Sequence, residues 1–107
     1  MKKNPKHLCV FKLFVAGATP LSHLAVLRVQ EICDTKIKRG YSLKVVDIYQ
    51  QPKFSKANEV VVTPTLIKTS PRPIRRYIGM KGIILGLSAE LEFLSVPPKK
   101  TKLTPPK

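Results

Sequence analysis

Acidic residues are scarce in this chain: six Asp and Glu stand against twenty Lys and Arg, a formal charge of +14 over 107 residues. None of the six is paired at the spacing that a general acid and base require, and Asp47 closes a strand pattern alone. No G-x-S-x-G, P-loop or dinucleotide fingerprint is present, so the reading is not an enzyme and needs no cofactor. Cysteine is nearly absent as well. Cys9 and Cys33 are too far apart for a zinc pair or a Cys-x-x-Cys motif and read as two buried structural thiols. His7 and His23 have no cluster of acids or thiols beside them, which leaves a metal site without ligands. Aromatics are 7% of the chain, and no run interleaves them with Lys or Arg as a base-stacking platform would. Apolar runs fall far short of the about 20 residues that span a bilayer. The first of them contains Lys12 and ends without a cleavage-like site, so cytoplasm is the default compartment.

What is there begins with Val10 to Pro20. Residues 8–15 read as a strand buried on both faces, broken only by Lys12. The run stops at Gly17, Thr19 suits a helix N-cap, and Pro20 suits the first helical position. Leu21, Leu24, Ala25, Arg28 and Ile32 then fall on one helical face, with Leu27 and Val29 beside it, until the pattern fades near Lys36 and Gly40 turns the chain. Residues 41–49 form a second strand pattern, and strand, helix and strand together make a βαβ unit. In a thioredoxin-like protein the catalytic Cys-x-x-Cys lies where the first strand hands over to the helix. Here Ala16, Gly17, Ala18, Thr19 and Pro20 hold no thiol, so a thioredoxin-type oxidoreductase is excluded by chemistry while its architecture is kept.

The second half is less determined. A weak helical turn is expected from Lys53 to Asn58, and Val60 to Thr69 favours extended structure. Thr63-Pro64-Thr65 resembles the cis-proline loop before the third strand of thioredoxin-like folds. Pro71 and Pro73 forbid regular structure across 70–73. From Ile74 to Leu87, Gly79, Gly82 and Gly86 weaken both helix and strand; a helix is plausible only over Ile83–Leu94, and Ile83-Ile84-Leu85 fits a strand equally well. Such local ambiguity suits a sequence able to adopt two packings.

Val10 to Ser22, Tyr41 to Ile48, Thr63-Pro64-Thr65-Leu66, Pro73 to Gly79 and Leu85-Gly86-Leu87 together, and in this order, resemble the KaiB family. The resemblance covers roughly residues 8–90. It implies an α/β, thioredoxin-like related KaiB fold: an N-terminal βαβ unit plus a fold-variable C-terminal half. It also implies a non-enzymatic regulator in circadian timing or a related stress or regulatory system. Such proteins rest as a homotetramer (or dimer), slowly convert to a thioredoxin-like monomer, and bind a KaiC-like ring ATPase. A KaiA-like protein and a sensor kinase with a KaiB-like domain are further implied partners. Lys12, Lys44, Lys68, Arg75 and Arg76 match basic positions of the pattern, which implies a positive, partner-binding surface facing the ATPase or a tetramer cleft. Ala16 and Gly17 join them as partner-binding candidates because small residues at the strand-to-helix bend let a partner backbone approach closely. Pro64, Gly86 and Ser88 are fold-switch candidates.

The chain also departs from the pattern. Between Gly79 and Leu85 it is about four residues shorter, and the absent Asp-Leu-Ser-Asp segment would supply a helix N-cap in the thioredoxin-like form. Losing one cap costs about 1 kcal/mol, so the resting fold is expected to dominate. Ser88 stands where the family usually has an acid, Arg72 interrupts a proline run, and lysines and prolines replace an acidic C-terminus. Half of the excess charge lies on the ends. Residues 1–7 read as a basic N-terminal tail and 8–95 as the KaiB-like domain. Residues 96–107, with four prolines in twelve positions, read as an extended or disordered tail. These charges keep a second reading open, a nucleic-acid-binding module using the basic surface and tails.

Overall fold

The computed structural model describes residues 9–95 apart from Arg39 and Val61, and both predicted tails lie outside the described residues. Seven elements follow in order: β1 (Cys9–Val15), α1 (Pro20–Lys36), β2 (Tyr41–Asp47), α2 (Pro52–Ala57), β3 (Thr65–Ser70), β4 (Arg75–Ile78) and α3 (Gly79–Ser95). The sheet runs β2-β1-β3-β4, with β2 parallel to β1, and β3 and β4 each antiparallel to its neighbour. This is the thioredoxin-like arrangement, not the resting fold expected from the missing cap. No described helix is long and apolar enough to cross a membrane.

Strand alternation divides the core in two. Cys9, Phe11, Leu13 and Val15 join Ala25, Val29, Cys33, Leu66, Ile83, Leu87 and Leu91 on the α1–α3 side. Phe14, Val46 and Ile67 point the other way and are covered by Ile48, Phe54 and Val60. As the sequence indicates, β1 is buried on both faces; the first four residues of β3, which the sequence marks only as extended, are buried on both faces as well.

Thr19 caps α1 as its sequence predicts: its hydroxyl accepts from the Ser22 backbone N–H at 3.1 Å and donates to the Ser22 hydroxyl at 3.0 Å. The predicted apolar face of α1 needs correction. The buried stripe is Ser22, Ala25, Val29 and Cys33, whereas Leu21, Leu24 and Leu27 are 51%, 44% and 61% exposed. Arg28 is exposed as well. Small side chains lie beneath the helix and let it sit close to α3, so packing distance outweighs hydropathy in choosing the face.

β4 and the early start of α3 are absent from the sequence reading. β4 has only four residues and exists through its ladder with β3. α3 begins directly at its end. Gly79, at φ +78, turns the chain, and its N–H donates to the Pro64 carbonyl at 2.8 Å. A shortened connection therefore needs no capping loop, because the glycine makes the turn and β3's entry loop satisfies its amide. Ile83, Leu87 and Leu91 then repeat at helical spacing on the buried side.

Candidate functional site

The bend after β1 is built on one carboxylate. Gly17 adopts φ +75, a left-handed conformation that glycine reaches without cost. Asp47, at the end of the neighbouring strand, accepts through one oxygen from the Gly17 N–H at 3.0 Å and the Tyr49 N–H at 2.9 Å. The Tyr49 ring lies 3.5 Å from where a Gly17 Cβ would project. Ala16 and Gly17 are half-buried and Ala18 and Thr19 exposed. The Thr63–Pro64 peptide bond is cis, as expected; Ser70–Pro71 and Arg72–Pro73 are cis as well.

No thiol serves this bend. Cys9 and Cys33 are free and buried on the α1–α3 side. Burial above all pushes the Cys33 thiol up to about 12, with the Cys9 and Asp34 charges adding to it. Burial raises Cys9 too, against the Lys68 charge. Neither supplies the thiolate that exchange chemistry requires.

The five basic positions separate into two groups. Lys44, Lys12, Ile67 and Arg76 are consecutive partners across β2, β1, β3 and β4 and so form one row on the α2 face. Lys44 Nζ lies 4.5 Å and Lys12 Nζ 5.4 Å from the centroid of the Phe54 ring. Arg76 donates to the Asn58 and Glu59 carbonyls just beyond α2. Among the described residues, none of these three cations is paired with a carboxylate. Lys12 thus solves the problem of a lysine in a buried strand by laying its stem along the sheet and its charge over an aromatic face.

Lys68 and Arg75 face α3 instead. Lys68 is wholly buried, so in this arrangement it is not on a partner surface. Its Nζ lies 2.6 Å from Glu90 Oε2, and Arg75 Nε lies 3.5 Å from Glu90 Oε1. Burial raises the Glu90 pKa, but the hydrogen bond and charge of Lys68, then Tyr77 and Arg75, outweigh it and hold the carboxyl below its ordinary value. The neighbouring Tyr77 is pushed up to about 12 by burial first and by Glu90 second. Gly86 lies against that tyrosine: a Cβ there would fall 2.3 Å from Tyr77 Cδ1. Ser88 is half-buried on the same helix.

Phe54, Asp47 and Glu90 are the residues that sequence reasoning missed. Only Glu90 left a signal, since a lysine at a buried strand position demands an acid and the chain has six.

The family profile described as KaiB domain matches residues 12–84. The chain belongs to the KaiB family. Among its relatives, the circadian clock oscillator protein KaiB of Prochlorococcus marinus is 38% identical over 96 residues, 86% of this chain and 82% of that protein. A KaiB of Synechococcus is 40% identical over 88 residues, 78% of this chain and 74% of its own. Of solved structures, the N-terminal domain of Synechococcus elongatus SasA superposes with a TM-score of 0.70 at 29% identity, covering 78% of this chain and 79% of that one. Mitochondrial thioredoxin 3 of Saccharomyces cerevisiae has a TM-score of 0.63 at 14% identity over 79% of this chain and 77% of its own, a likeness of fold alone. The KaiB assignment and the thioredoxin-like architecture agree, and none of these relatives favours nucleic acid.

Proposed function

We propose that this chain is a non-enzymatic regulator of KaiB type that binds a KaiC-like ring ATPase, in circadian timing or a related regulatory system. The observation that supports it best is the 38% identity with a circadian clock oscillator protein KaiB across most of both chains. The likeness to the SasA N-terminal domain supports the thioredoxin-like arrangement; that this arrangement is the form that binds is part of the proposal. Exchange with a resting homotetramer or dimer, with Pro64, Gly86 and Ser88 at the changing half, belongs to the same reading. So do a KaiA-like protein and a KaiB-like-domain kinase as further partners.

The contact surface we assign is the α2 face with Lys12, Lys44 and Arg76, next to the Ala16–Gly17 bend. Three cations in one row without a carboxylate leave charge for a partner to neutralise, and like charges directly opposite, as at Lys12 and Lys44, are otherwise unfavourable in a sheet. Capture of the chain by an immobilised KaiC-like ATPase with nucleotide tests this assignment. Lys12→Glu/Lys44→Glu is expected to weaken capture roughly tenfold or more. Undiminished capture would remove this face from the interface.

A further inference from the structure

The sheet has two edges, β2 and β4. β2 carries Asp47 and is adjoined by α2; β4 is adjoined by α3 and carries no acid. Arg75, Arg76 and Ile78 are exposed, and Ile74, just before the strand, is 64% exposed. The ladder of β4 is with β3 alone. Among the described residues, no loop or turn backbone bond engages Ile74 to Ile78. An edge of this kind is a template for one more strand.

Its side chains decide which strand. Arg75 is opposite Lys68 and Arg76 opposite Ile67, so the two guanidinium groups leave the edge on opposite faces of the sheet. Ile74, Arg76 and Ile78 share one face by alternation. Glu90 is the acid nearest Arg75, but it lies 2.6 Å from Lys68 and 3.5 Å from an Arg75 that remains 54% exposed. Arg76 reaches only carbonyl oxygens. Exposed Arg72 precedes the strand and exposed Lys81 follows it. A second copy of the chain brings the same arginines on a +14 body, and like charge at an edge opposes such pairing. The chain's own ends carry lysines and no acid.

We propose that β4 is a docking edge for an extended acidic segment of a partner protein. The segment adds as a fifth strand, sets carboxylates beside Arg75 and Arg76, and lays apolar side chains beside Ile74 and Ile78. Main-chain bonds hold it, and the alternating side chains select it. This edge meets the α2 face at Arg76 but extends beyond it through Arg75 and the main chain of residues 74–78, and the proposal does not depend on a KaiC-like ring binding to that face.

The test uses the isotope-labelled full chain and a peptide containing Val-Glu-Glu-Glu-Val, whose pattern fits the edge in either direction, with Val-Lys-Lys-Lys-Val as the control. Expected are shifts centred on the amides of residues 74–78 and slower hydrogen exchange there, binding that weakens with salt, and no binding of the lysine peptide. Arg75→Glu/Arg76→Glu is expected to weaken binding roughly tenfold. Arg75→Gln/Arg76→Gln, which sets no like charge beside Glu90, weakens it in the same direction. Lys12→Glu/Lys44→Glu leaves it unchanged. Absence of binding, shifts centred on β2 or on α2, or equal binding of the two peptides would overturn the proposal.

Discussion

Lys68 Nζ of β3 and Glu90 Oε2 of α3 lie 2.6 Å apart, and the lysine is wholly buried. A buried ammonium is costly without a close counter-charge, so this pair ties the burial of Lys68 to α3's position. Glu90→Leu leaves the charge alone in the core and is expected to cost about 3–5 kcal/mol, read by urea denaturation. Adding Lys68→Met to Glu90→Leu is expected to restore most of that stability, because an apolar pair of similar volume needs no compensation. A double variant as unstable as the single one would show that the pair is not what couples β3 to α3.

The same pair sets an acid limit. The Glu90 carboxyl is held below its ordinary value of 4.5, since Lys68, Tyr77 and Arg75 outweigh the opposing effect of burial. A depressed folded-state pKa contributes stability that is present above the unfolded value and lost as pH falls through the folded one. Unfolding free energy is therefore expected to decline as pH drops below 4.5. In Glu90→Gln this part of the decline is absent. Identical pH profiles for the two proteins would contradict the assignment.

Gly86 and Tyr77 supply a second contact between α3 and β4. A Cβ at position 86 would sit 2.3 Å from Tyr77 Cδ1 and 2.7 Å from Cε1, on the body of the ring rather than a flexible tip. Gly86→Ala is expected to destabilise this arrangement by about 1–3 kcal/mol despite alanine's better helix propensity. Combined with Tyr77→Val it is expected to cost less than the sum of the two changes, a coupling that a double-mutant cycle measures. Strict additivity would mean that the ring moves aside freely.

Asp47 organises the bend through two backbone amides, of Gly17 and Tyr49. Asp47→Ala removes the acceptor and is expected to cost about 1–3 kcal/mol, with faster hydrogen exchange at both amides. Asp47→Asn keeps an acceptor oxygen and is expected to retain most of the stability. Loss of stability in both variants alike would point to charge rather than to these hydrogen bonds.

The first half of the fold was written locally. The apolar run of β1, the Thr19 cap with Pro20, and the β-branched residues of β2 each name their element without help from the rest of the chain. Pro64 was legible only through resemblance. The α1 face was misread because Ser22, Ala25 and Cys33 are buried for their small size, which no hydropathy pattern displays. β4 was invisible because four residues establish no period, and its pairing comes from β3. The start of α3 depends on a bond between Gly79 and Pro64, fifteen positions apart. The basic positions could be picked out one by one, but their division between two faces follows from sheet register, which only the assembled strands define.

Engagement of a KaiC-like ring ATPase by this chain is tested most directly by size-exclusion chromatography with light scattering, on the chain alone and after long incubation with such an ATPase and nucleotide. Expected is a slowly formed complex of ring and chain in fixed stoichiometry, at the expense of the free species. A chain that elutes unchanged beside the ring, at every ratio and after every incubation, would contradict it.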